Sequence, residues 1–187
     1  MLENMVCLGT TSRPAAPRQR VMWEKPPVGW MKVNTDAAFV SATGDRAGGA
    51  VVRNSQGEIV KATANFYKHL PDVLTSEALA ARDGVMLAQE LGVEQVILEL
   101  DNSTLVTLLR SEDGGHCAIA GLWQEIRERS RVFGSYQISF VKREGNAVAH
   151  LCASKASASS PLLSWSGCFP IWLMEAASKD CNNPVLE

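Results

Sequence analysis

The sequence predicts an α/β domain on a mixed five-stranded sheet: a three-strand antiparallel meander, further parallel strands and flanking helices. Three observations carry this. Residues 30–66 fall into short strand-like runs separated by turn residues. Residues 76–91 place apolar side chains at helical spacing. Residues 96–100 form a nearly continuous apolar run, as expected of a central strand covered on both faces.

Taken in order, residues 1–27 are expected to form a poorly ordered N-terminal arm. Pro14 and Pro17 bar a continuous helix or a central strand there. Pro26-Pro27-Val28-Gly29 closes the arm as an extended or turn segment. A first strand spans 30–39, a loop 41–45 and a second strand 47–52. Asn54-Ser55-Gln56-Gly57 is a turn, with Gly57 suited to positive φ, and 58–66 returns as the third strand. Residues 71–75 lead into a helix over 76–91 with the stripe Ala80, Gly84, Leu87, Ala88 and Leu91. Glu77 shares that face at its N-terminal rim, and Gly92 caps the far end. After the strand 96–100, Asn102-Ser103 can start a helix that Gly114-Gly115 breaks. Residues 118–131 form a helix with Ile119, Leu122, Trp123 and Ile126 inward. An alternating strand over 136–141, a tight loop at 144–146 and a helix over 147–156 complete a domain of residues 28–157. Residues 158–187 are expected to be a C-terminal tail.

The chain has 187 residues, 46% of them hydrophobic, enough for one cored domain with arms or at most two small ones. A net charge of −2 counts against a broad, non-specific DNA binder, which needs many cations to replace counterions. It leaves room for an enzyme whose bound metal neutralises part of the substrate charge. Cys7, Cys117, Cys152, Cys168 and Cys181 are scattered and lack a Cys-x-x-Cys pair, so they read as reduced thiols. The apolar stretch 162–174 contains Gly167 and Pro170 and is too short to span a bilayer. The N-terminus lacks the charged start and long apolar centre of a secretory signal. Ser12, Arg13, Arg18 and Arg20 would suit an organellar transit peptide, and Glu3 and Glu24 count against one. The expectation is an intracellular monomer in the nucleus or cytoplasm, with an organelle as the other option.

Asp36, Glu77 and Asp101 stand at the edges of regular elements, where side chains can face a cleft. Ligands gather at the carboxyl ends of parallel strands in α/β sheets. Asp101 ends the fourth strand, the first strand can lie beside it, and Glu77 can complete a cluster from the helix above. Two carboxylates ~5 Å apart repel by about 3 kcal/mol at an effective dielectric of about 20. A divalent cation reverses that cost, and carboxylate oxygens suit Mg²⁺ or Mn²⁺. Such a site serves phosphodiester hydrolysis. Taken singly, each acid has another reading. Asp36 can be a strand-end turn former, Glu77 a first-turn acid meeting the helix dipole, and Asp101 the cap of the next helix. Glu99, two residues from Asp101 on the same strand face, reads as solvated or as a support for the site.

Longer motifs run from Trp23 to Ser154. They include Trp23-x-x-Pro26-Pro27-x-Gly29-Trp30-x-Lys32-x-Asn34-x-Asp36-Ala37-Ala38 and Ala47-Gly48-Gly49-Ala50-Val51-Val52-Arg53-Asn54-x-x-Gly57. Ser76-Glu77-Ala78-Leu79-Ala80-Ala81-Arg82 and Glu99-x-Asp101-Asn102-Ser103, with Leu105 and Val106 beyond, come next. Val141-x-Arg143-Glu144-x-Asn146-x-x-Ala149-His150-x-x-Ala153 is the last. This ordered set resembles the ribonuclease H family, in particular the plant reverse-transcriptase-like ribonuclease H domain. The tail, Trp165 through Pro170-x-Trp172-Leu173, is similar to that subgroup as well.

The resemblance implies a ribonuclease H-like fold and Mg²⁺-dependent hydrolysis of the RNA strand of RNA–DNA hybrids, with Mn²⁺ as a substitute. It makes Asp36, Glu77 and Asp101 the metal-binding catalytic acids and puts His150 where the family has its fourth acid. Imidazole is a poor Mg²⁺ ligand beside carboxylate. His150 therefore reads as a weaker second site, as a proton carrier, or as a helix-face histidine without a catalytic role. Ser76, Asn102 and Asn146 are candidate contacts to the nucleic-acid backbone or to 2′-OH groups. A basic arm is missing: between Leu109 and Trp123 stands only Arg110, offset by Glu112 and Asp113. Arg127, Arg129 and Arg131 are spread around the next helix and read as solvated surface or phosphate contacts. His69 and His116 read as surface residues. Trp30, Trp123, Trp165 and Trp172 read as packing rather than base stacking. Two functions stay open: the hybrid endonuclease, and a non-catalytic nucleic-acid-binding or protein-interaction module on the same fold.

Overall fold

A computed structural model describes residues 23–40, 45–115 and 117–181. Cys7, His116, most of the expected arm and most of the 41–45 loop lie outside these residues. The sheet has six strands: β1 Met31–Val40, β2 Asp45–Arg53, β3 Ile59–Tyr67, β4 Gln95–Leu100, β5 Ser135–Phe140 and β6 Leu162–Ser166. Their order is β5-β4-β1-β2-β3-β6. β1, β2 and β3 form the expected antiparallel meander, and β4 and β5 add to β1 in parallel. The sixth strand corrects the five-strand expectation. β6 comes from the segment read as a tail, and pairs antiparallel with the outer edge of β3.

Among the described residues, five α-helices cover the two faces: α1 Val73–Glu90, α2 Ser103–Arg110, α3 Ala120–Ser130, α4 Ala147–Ala153 and α5 Ile171–Cys181. α1 starts three residues earlier than its apolar stripe suggests, because the Asp72 side chain accepts the Thr75 amide at 2.7 Å and caps the helix. Its Ala-rich face lies against β1 and β2. A Cβ on Gly84 would come within 2.5 Å of Thr35 Cγ2, so the helix approaches β1 as closely as glycine permits. Val33, Val52, Leu98 and Leu100 form the core beneath α1, α2 and α3.

The opposite face carries the second core. Ala47, Val51, Ala62 and Ala64 meet Val148 and Cys152 of α4 and Leu173 and Ala177 of α5. Here α4 rests on backbone: a Cβ on Gly49 would lie 2.5 Å from the Ala149 carbonyl oxygen and 2.4 Å from the Ala153 nitrogen. Trp165 of β6 and Trp172 of α5 meet edge to face at 5.6 Å, and Lys155 lies 4.8 Å from the Trp172 ring centre. Among the described residues, no helix is long and apolar enough to cross a membrane.

Leu173 is fully buried, so α5 belongs to the core of the domain. Leu173→Ala should destabilise the chain by about 2–5 kcal/mol in urea denaturation. A wild-type midpoint in the variant would mean that α5 is not docked.

Candidate active site

β1 and β4 run in parallel with Thr35 and Leu100 as register partners, so the residues that follow them lie side by side where β4 ends and β1 runs on to Val40. Asp36 and Asp101 are those residues. Glu77, in the second turn of α1, reaches the same place from above because α1 lies so close to β1. Carboxyl oxygens of Asp36, Glu77 and Asp101 all lie within 4.8 Å of one another. Asp36 and Glu77 are buried and Asp101 is half-buried. The group floors a cleft of about 480 Å³ whose wall includes Phe39, Arg46, Val73, Asn102, Arg143 and His150.

Burial and mutual repulsion hold two of the acids toward their neutral forms. The Asp36 carboxyl is pushed up to about 6, first by loss of water and then by the Asp101 charge, with the His150 hydrogen bond opposing. Glu77 is pushed up to about 8 by burial and by Asp36 and Asp101, while the Ala37 amide and Arg143 pull it back. Three oxygen donors under such repulsion suit a hard divalent cation. Mg²⁺ fits this donor set, which contains no thiolate.

His150 arrives from the second turn of α4. Its Nδ1 lies 2.5 Å from Asp36 Oδ2. An ionised Asp36 can only accept, so in that state Nδ1 carries the proton of the bond, and Nε2 is left for the cleft.

The three candidate substrate contacts separate. Asn102 lines the cleft; its side-chain oxygen accepts the Leu105 amide at 3.0 Å and caps α2, which leaves the amide nitrogen available. Ser76 also lies at the wall, but it is fully buried and donates its hydroxyl to the Val73 carbonyl at 2.7 Å. Asn146 does not line the cleft. It is 1% exposed and donates to the Thr35 carbonyl at 2.9 Å, below the acids. Glu99 is likewise buried, paired with Lys32 at 2.9 Å, so the solvated alternative does not hold.

Arg46 and Arg143 line the cleft, and nothing in the sequence marks either as a phosphate contact, although Arg143 stands in the last motif. Arg46 pairs in register with Phe39 across β1 and β2, and its guanidinium lies 4.6 Å from that ring. The meander register was the available signal, since Phe39 is three residues past Asp36. Arg110, Arg127 and Arg129 are engaged elsewhere, and Arg131 is exposed. Arg110 donates to the Ile138 carbonyl at 2.6 Å, Arg127 to the Glu112 carbonyl at 3.2 Å, and Arg129 to Glu125 at 2.8 Å. Trp123 packs as expected, donating its indole N–H to the Leu108 carbonyl at 2.9 Å.

Comparisons with known proteins agree with this architecture. A reverse-transcriptase-like family model matches residues 34–156. RNase H1 from the halophilic archaeon Halobacterium salinarum NRC-1 is similar at TM-score 0.59 and 20% identity, over 67% of this chain and 96% of that one. The N-terminal RNase H domain of rv2228c from Mycobacterium tuberculosis is similar at TM-score 0.60 and 16% identity, over 82% of this chain and 99% of that one. LC11-RNase H1, solved in complex with an RNA/DNA hybrid, gives TM-score 0.58 at 14% identity, over 67% and 95%. A search of curated proteins found no match. The chain belongs to the reverse-transcriptase-like family and has the ribonuclease H-like fold.

Proposed function

We propose that the chain is a metal-dependent ribonuclease that hydrolyses the RNA strand of RNA–DNA hybrids. The observation that carries this reading is the convergence of Asp36, Glu77 and Asp101 within 4.8 Å on the floor of a cleft. Membership of the family and the hybrid bound by LC11-RNase H1 support the substrate class.

Asp36, Glu77 and Asp101 would hold Mg²⁺, or Mn²⁺ in its place. When bound, such an ion polarises the phosphodiester and makes water a better nucleophile. The chain's own groups do the rest. Arg46 and Arg143 meet the phosphates flanking the scissile bond. The Asn102 amide nitrogen donates to the sugar–phosphate backbone or to a 2′-OH, the group that separates RNA from DNA. His150, oriented through Nδ1 by Asp36, presents Nε2 to the cleft and can move a proton to or from the reacting oxygens.

The bond between His150 and Asp36 also favours a second reading. It occupies one Asp36 oxygen and replaces a fourth carboxylate, and a fold kept for binding alone would tolerate that. A labelled hybrid and millimolar Mg²⁺ or Mn²⁺ separate the two. The enzyme reading expects cleavage; binding without turnover in either metal supports the binding module.

If cleavage is seen, Asp36→Asn or Asp101→Asn should lower its rate at least about a hundredfold, since metal stabilisation supplies several kcal/mol. Wild-type rates in these variants would remove the acids from the site. His150→Asp should keep or raise the rate, because it adds an oxygen donor; loss of activity would show that the imidazole itself is required.

The acids also set a pH dependence. Folding raises Asp36 from 3.8 to about 6 and Glu77 from 4.5 to about 8, so the metal-free folded state holds these protons more tightly than the unfolded chain. Their contribution to stability is complete below about pH 4 and is lost as pH rises through 6 and then 8. Bound Mg²⁺ competes with the same protons. The rise in melting temperature on adding Mg²⁺ should therefore be larger at about pH 8.5 than at about pH 6. Equal shifts at the two values would contradict binding at these carboxylates.

A further inference from the structure

Beneath the acids, the same elements carry a second polar layer. Asn34 lies two residues before Asp36, Glu99 two before Asp101, and Asn146 four before His150. Strand and helix periodicity put each on the face of its partner in the cleft. These lower residues bond to one another. Asn34 Nδ2 donates to Glu99 Oε2 at 2.8 Å and to Asn146 Oδ1 at 3.3 Å. Asn34 and Glu99 are register partners across β1 and β4, so their bond ties together the two strands that position Asp36 and Asp101. Asn146 Nδ2 donates to the Thr35 carbonyl, one residue from Asp36.

Arg53 of β2 orients this layer. It is fully buried beneath Trp23, with its guanidinium 3.4 Å from the ring centre. Its Nη2 donates to Asn34 Oδ1 at 3.0 Å, and its Nη1 pairs with Asp180 of α5 at 3.3 Å. Arginine offers only donors, and an ionised Glu99 only acceptors. The Asn34 amide can satisfy both in one orientation alone. A flip would set its NH₂ against the guanidinium and its oxygen against the carboxylate.

We propose that Asn34 and Arg53, anchored by Asp180 of α5, are positioning residues that hold Asp36 and Asp101 at metal-binding distance. This rests on the reading of the acid group as a Mg²⁺ site. Asp180 lies outside the residues matched by the family model, so the C-terminal helix takes part in the site without touching it.

Calorimetric titration of the metal-free full chain with Mg²⁺ tests the idea without an activity assay. Asn34→Ala and Asp180→Asn should each bind Mg²⁺ about tenfold more weakly, the scale seen when residues supporting metal ligands are removed. Leu173→Ala, which loosens α5 by packing alone, should bind like the parent at a temperature well below its melting. Asp180→Asn keeps shape and an acceptor oxygen, so it carries the test if Asn34→Ala does not fold. Parental affinity in the polar variants, or equal weakening in Leu173→Ala, would overturn the proposal and leave the metal reading intact. A parent chain that takes up no Mg²⁺ would overturn the metal reading and this inference with it.

Discussion

Asp36, Glu77 and Asp101 leave two strands and a helix yet meet within 4.8 Å, two of them buried, and carboxylates so placed repel one another wherever they ionise. The surrounding structure meets that repulsion in several ways. Arg143 and the Ala37 amide draw Glu77 back toward ionisation, and His150 does so for Asp36. The strands cannot spread to relieve it, because Asn34, Glu99 and Asn146 cross-link their bases. A close-packed interior with two cores holds the rest in place. Strain of this kind, kept by a rigid frame, is what a divalent cation relieves.

Much of this was legible in the sequence, for reasons that differ by element. The meander could be read because Gly57 and its neighbours form a turn between β-rich runs. β4 could be read because a strand covered on both faces has no polar side to interrupt it. The three acids could be read because each adjoins a clearly patterned run, although Asp36 lies within β1 and Glu77 in the second turn of α1, and the ordered motifs resolved what spacing alone left open.

What escaped was set by contacts between distant residues. Ser76 and Asn146 carry polar groups suited to a substrate, but whether such a group faces water or a neighbouring carbonyl is decided by packing. Asn146 is taken by Thr35, 111 residues away. Trp23 falls within the span expected to be an arm, yet it is buried, with Arg53 and Lys32 offering their cations to its ring. β6 has a weak signal in the sequence because its five residues, with Ser at alternate positions, bury only one weak face, and the edge of β3 makes them a strand. The role of Arg46 is hidden in the sequence because its place beside Phe39 depends on strand register.

Gly49 bears on how exactly the cleft can be maintained. Where two elements pack through side chains, their separation shifts with every change in side-chain volume. At Gly49 the helix bearing His150 is seated on peptide units instead. The closest approach of the imidazole to the sheet is thus set by covalent dimensions common to all polypeptides, and any side chain added at Gly49 would lift it from Asp36.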